Sequence, residues 1–134
     1  MSYTTIVDLE RRYGVDEIRQ RELLLGPGAV VAAIERAGAE NDAYLGGAYV
    51  VPLSEAPPVI ARMSEQIARY ILLGDAATET AVRDYEAARA FLRDVSSGRV
   101  QISNLAGAAK PAAGSANGMV SVFGAERVFS RDAR

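Results

Sequence analysis

The sequence predicts a mostly α protein: a small bundle of about five helices, followed by an extended C-terminal arm that carries short β segments. Three observations lead there. Apolar residues recur at helical spacing through the first 98 residues. Glycine and proline stand where helices should start and stop. From Arg99 the composition turns small and flexible before two short β-prone runs close the chain. The expected organisation is therefore a helical body over 1–98, a flexible linker over 99–118 and a docking arm over 119–134.

Thr4 or Thr5 is placed to cap a short first helix, with Asp8 in its early turns and Gly14 beyond its end. Ile6, Leu9 and Tyr13 share the expected inner face. Asp16 opens a second helix through Leu24, closed by Gly26, Pro27 and Gly28. Pro27 has no amide proton to leave unpaired, so it suits the first turn of a third helix running to about Leu45. That helix has Val30, Ile34, Ala37, Asn41 and Leu45 on one stripe, where the amide of Asn41 is the exception. Pro57 and Pro58 start a fourth helix with Val59, Ile60, Met63, Ile67, Tyr70 and Ile71 inward and Arg62, Glu65, Gln66 and Arg69 on the other side; Gly74 ends it. The fifth runs from about Thr78 to Ser97, with Val82, Tyr85, Ala88, Phe91, Leu92 and Val95 inward and Gly98 as terminator. Between the third and fourth helices, NDAYLGGAYVVPLSEAPP breaks at a glycine pair, extends through Val50 to Leu53 and stops at two prolines.

Composition limits the function. The 134 residues suit one domain with one core. Cysteine and histidine are absent, which excludes disulfides, thiolate chemistry and the commonest proton-transfer and zinc-binding side chain. No apolar run approaches a membrane span and no secretion signal is evident, so a cytosolic, soluble chain without membrane contact is expected. Charge is uneven. Residues 1–98 hold ten Arg against fifteen Asp and Glu, a balance of −5, whereas residues 99–134 hold four Arg and one Lys against two acids, a balance of +3. An acidic body is repelled by a phosphate backbone.

Candidate sites are few. GPGAVVAAIE lacks the Lys and Ser/Thr of a P-loop and reads as helix capping rather than a phosphate cradle. Glu35, Glu40 and Asp42 read as a solvated face rather than a metal cluster. Tyr44, Tyr49, Tyr70 and Tyr85 are better suited to helix packing than to base stacking. A helix-turn-helix reading of the second and third helices fails on the lack of a basic face. Asn41 and Asp42 have two readings of equal weight: a polar contact across a subunit boundary, or a buried amide satisfied by the connection that follows. No catalytic, metal or cofactor site is expected, and the chain reads as no enzyme.

The runs TTIVDLERRYG, AENDAYLGGAYVVPL, IARYILL and YEAARAFLRDVSSGRV, over residues 3–102, resemble the Mu-like prophage head-to-tail connector family. The most specific pieces are D-x-Y-L at Asp42–Leu45, Y-x-x-P-L at Tyr49–Leu53 and A-R-Y at Ala68–Tyr70, and RVFSRD at Arg127–Asp132 resembles the family's C-terminal signature. The resemblance implies a small adaptor, assembled in the host cytoplasm into a homo-oligomeric ring, commonly a dodecamer, at the virion neck. Its implied partners are other copies of itself, the portal protein above it, and a tail-terminator or other neck protein, with DNA only passing through the lumen. On this reading the prolines fix Tyr49, Val51 and Leu53 in one shape, either back onto the core or toward a neighbouring subunit. Val120, Val122, Phe123, Val128 and Phe129 offer alternate apolar contacts for strand addition, with Arg127 and Arg131 pairing with acidic groups. A helical regulatory or nucleic-acid-associated protein with a basic tail is the alternative.

Overall fold

The computed structural model describes residues 2–103 and 105. Among these residues five α-helices form in the expected order: α1 (Ile6–Tyr13), α2 (Val15–Leu25), α3 (Ala29–Leu45), α4 (Pro58–Leu73) and α5 (Glu79–Ser96), with a 3-10 turn at Gly74–Ala76. No strand forms among the described residues.

Local chemistry sets most of the boundaries. Thr5 and not Thr4 caps α1, its Oγ1 accepting from the Asp8 amide at 3.2 Å. Thr78 does the same for α5 through the Ala81 amide at 3.1 Å. Gly14, at φ 100°, lets α1 end and α2 begin within one residue. The start of α3 departs from expectation: Pro27 lies in the turn, and the helix begins only after Gly28, whose φ of 87° no proline-led helix start contains. The expected stripe on α3 holds throughout, with Val30, Ile34, Ala37, Asn41 and Leu45 all buried. On α1 the inner face is narrower than the spacing indicates, since Leu9 is fully buried and Tyr13 half-buried while Ile6 is exposed.

The core lies around α4, which packs on α3 and α5 along one side and on α1 along another. That second contact corrects the sequence reading of its polar face. Glu65 is 8% exposed, paired with Arg12 and accepting from the Thr4 hydroxyl at 3.4 Å. Arg69 lies half-buried, donating to both Glu17 oxygens at 2.9 and 3.1 Å with its guanidinium 4.4 Å from the centre of the Tyr13 ring. Arg62 alone of the four is exposed. Charged side chains on a helix read as a solvated face, but here the α1–α2 pair supplies opposite charges that cover them. Arg21 completes this side by donating to the Leu72 and Leu73 carbonyls at the end of α4, at 3.0 and 3.4 Å.

The packed body also extends past the expected boundary. Ile102 and Leu105, in the span read as linker, are buried and join the core cluster. The rest of the linker, 106–118, and the arm, 119–134, with the β segments expected there, lie outside the described residues.

Candidate functional site

The connection from α3 to α4 is held in place by two tyrosine hydroxyls. At the end of α3 the chain turns through Gly46 and Gly47, whose amides bond the Asp42 carbonyl at 2.9 Å and the Tyr44 carbonyl at 3.1 Å. A side chain at Gly47 is crowded, because a Cβ there meets the Ser96 hydroxyl and stands 3.1 Å from the Ser96 carbonyl oxygen. The glycine pair therefore marks a close approach of the end of α3 to the end of α5. Beyond it, Tyr49 is 4% exposed and its hydroxyl accepts from the Ile102 amide at 2.8 Å. Leu53 is 2% exposed, its amide donating at 3.0 Å to the Tyr3 hydroxyl, which in turn donates to Asp42. Burial and the Asp42 carboxylate together hold the Tyr3 phenol up at about 12, because both disfavour the phenolate. The Val51–Pro52 peptide is cis.

Of the loop residues singled out from sequence, Tyr49 and Leu53 thus pack onto the chain's own core and Val51 is half-buried. Among the large apolar side chains of the loop, Val50 is the exposed one, at 57%. Val120, Val122, Phe123, Arg127, Val128, Phe129 and Arg131 lie outside the described residues.

The polar residues on α3 resolve in favour of structure. Asn41 is fully buried and donates to Ser64 on α4, not to the connection that follows, while its Oδ1 has no partner. Glu40 accepts from the Tyr85 hydroxyl at 3.2 Å, and Asp42 serves Tyr3, so these acids answer to different tyrosines. Among the described residues no group of three or more His, Cys, Asp or Glu is placed to hold a metal. Tyr70 and Tyr85 stack face to face, centroids 4.1 Å apart and planes 5° from parallel, joining α4 to α5. Tyr44 accepts from Arg89 at 3.4 Å. The tyrosines are helix-packing devices.

At the glycine-proline turn an anion does lie on the free amides, and it belongs to the chain. The Glu22 carboxylate accepts from the Gly28 and Val30 amides, both at 2.9 Å, which lowers its pKa below the usual carboxylate range. Glu22 caps α3 from the preceding helix. Sequence reasoning missed what surrounds it: Leu23, Leu24 and Leu25 are exposed, as is Val31 on the first turn of α3. Three successive leucines at a helix end are a signal, since a one-sided helix buries at most one face of such a run.

With this geometry in view, comparison with known proteins gives the relationship. A family model described as "Bacteriophage Mu, Gp36" matches residues 3–121. The chain belongs to the Mu gp36 family. "Mu-like prophage FluMu protein gp36" of Haemophilus influenzae is 37% identical over 105 residues, covering 75% of this chain and 74% of that protein. The gp36 match takes in the whole described body, including Tyr3, Tyr49 and Leu105, and runs on into the undescribed segment as far as Ser121. No described helix of this gp36 family member is long and apolar enough to cross a membrane.

Proposed function

We propose that this Mu-like phage protein is a non-enzymatic head-to-tail connector, a ring of identical subunits that joins capsid portal to tail at the virion neck. The observation that carries the reading is the braced α3–α4 connection within a gp36-family body. Two buried tyrosines and a glycine packed close to Ser96 hold that connection in one shape. A surface that must meet a neighbour repeatedly around a ring loses least entropy when it is already ordered. Val50 is the large apolar side chain of the loop offered to such a neighbour, with Val51 half-covered beneath.

Attachment falls to residues 119–134. Val120, Val122, Phe123, Val128 and Phe129 supply alternate apolar contacts, and Arg127 and Arg131 pair with acidic groups on the portal or the adjacent subunit. Each contact is weak alone. Many arms engaged together gain avidity of roughly 100-fold or more over one. Removing residues 119–134 and measuring docking on purified portal rings tests this: docking is lost in the shortened chain and weakens with salt in the full one. Unimpaired docking of the shortened chain, or salt-sensitive retention of DNA in a filter assay instead, overturns it.

A further inference from the structure

Of the eight large apolar side chains exposed among the described residues, four stand at the α2–α3 turn. Leu23, Leu24 and Leu25 end α2 with 85%, 65% and 54% exposure, and Val31, on the first turn of α3, is 46% exposed. Successive helix residues point about 100° apart, so a three-residue leucine run exposed on every side forms a knuckle rather than a stripe. The knuckle is firmly built. Glu22 clamps the turn through the Gly28 and Val30 amides, and Arg21 ties the same helix end to the Leu72 and Leu73 carbonyls. A rigid apolar projection of this kind marks an interaction surface.

We propose that the leucine knuckle of each subunit is covered by residues 119–134 of a second copy of this chain. The proposal rests on the assembly reading above and deepens it by naming the surface that receives the arm. Three features favour this occupant. The arm is apolar where the knuckle is apolar, carrying Phe123 and Phe129 among its alternating large residues. Charges complement: the arm's Arg127 and Arg131 belong to a segment of balance +3, the body balances at −5, and Glu35 stands exposed one turn beyond Val31.

The third feature is where the chain leaves the body. Ile102 and Leu105 pack beside Tyr49, at the end of the bundle where α3 stops and α4 begins. The knuckle is tied through Arg21 to the opposite end of α4, whose 16 residues span about 24 Å. Residues 106–118 are small in composition, and a chain of that length and kind has a typical end-to-end distance of roughly 20 Å. Fully extended, 13 residues span about 45 Å, enough to deliver the arm to the knuckle of a second copy. Donor and receiver at opposite ends of one body make a head-to-tail contact, the kind that closes into a ring.

The chain has no cysteine, which makes disulfide trapping clean. Full-length Leu24→Cys protein is mixed with a full-length, size-tagged Phe123→Cys protein under mild oxidation; Phe129→Cys provides a second register, and Val7→Cys, exposed on α1, replaces Leu24→Cys as the control. Trapping captures transient contacts, so no stable ring is needed. The expected result is a cross-linked heterodimer forming at least about tenfold faster with Leu24→Cys than with the control in one arm register or the other, and slowed by a Leu23→Glu change beside the site. Equal rates in both registers overturn the proposal. So does linkage found only within single chains of the Leu24→Cys, Phe123→Cys double variant, which places the arm on its own body. Because only this chain is present, absent linkage beside normal portal docking sinks this inference alone, and linkage without portal docking sinks the connector reading alone.

Discussion

Tyr3 shows how much a single side chain near the start of the chain controls. Its hydroxyl donates to Asp42 and receives the Leu53 amide, so one phenol fixes the N-terminal segment, the end of α3 and the loop. The neutral phenol is favoured by the fold, with a pKa of about 12 against an ordinary value of 10. Its contribution is therefore complete below pH 10 and is lost as pH rises from 10 through 12, an effect on the order of 2 kcal/mol. Denaturant unfolding followed across that range should show Tyr3→Phe starting less stable than the unchanged chain and then losing less with pH. Identical slopes would remove Tyr3 from the account; Tyr13 and Tyr85, whose phenols are also raised by burial, leave a residual slope in both. The sequence showed little of this. Asn41 stood out because an amide on an apolar stripe is anomalous, yet its partner Ser64 lies 23 positions away and Tyr3 lies 50 from Leu53. Local pattern does not encode pairings at that separation.

Among the elements, helix ends were legible because their causes are local: Thr5, Thr78, Gly14 and Gly74 act within a turn of where they stand. The elements misread were those with a tertiary cause. Glu65 and Arg69 on α4 looked solvent-facing because nothing local shows that Arg12 and Glu17 arrive to pair with them. Pro27 looked like a helix start because the carboxylate of Glu22, not a side chain at the cap position, closes the turn. The glycine pair was read as a break, and Gly47 proves to be a contact. Gly47→Ala pushes a methyl into Ser96, whose hydroxyl can rotate away but whose carbonyl oxygen, 3.1 Å from that methyl, cannot. The expected cost is about 1–3 kcal/mol, a fall in Tm of several degrees that Ser96→Ala relieves only in part. A Gly47→Ala chain as stable as the original would show that the ends of α3 and α5 are not pressed together.

For the molecule as a whole, the division of charge and of apolar residues between body and tail was plain in composition, and the family was legible in short motifs such as Asp42–Leu45 and Tyr49–Leu53. The body's reach to Leu105 was not, because Ile102 and Leu105 sit among small residues that read as linker. The leucine knuckle escaped notice for a related reason: an exposed run can be recognised only once the rest of the bundle shows what it does not cover. A braced acidic body, an exposed apolar corner and a basic tail with apolar residues are the features on which the proposed joining role rests. The most direct test is imaging of the neck in particles of the phage that encodes this chain. The account predicts a closed ring of five-helix bodies between portal and tail, each with its final residues on another chain. A neck without this protein, or one whose copies keep residues 119–134 folded on themselves, would contradict it.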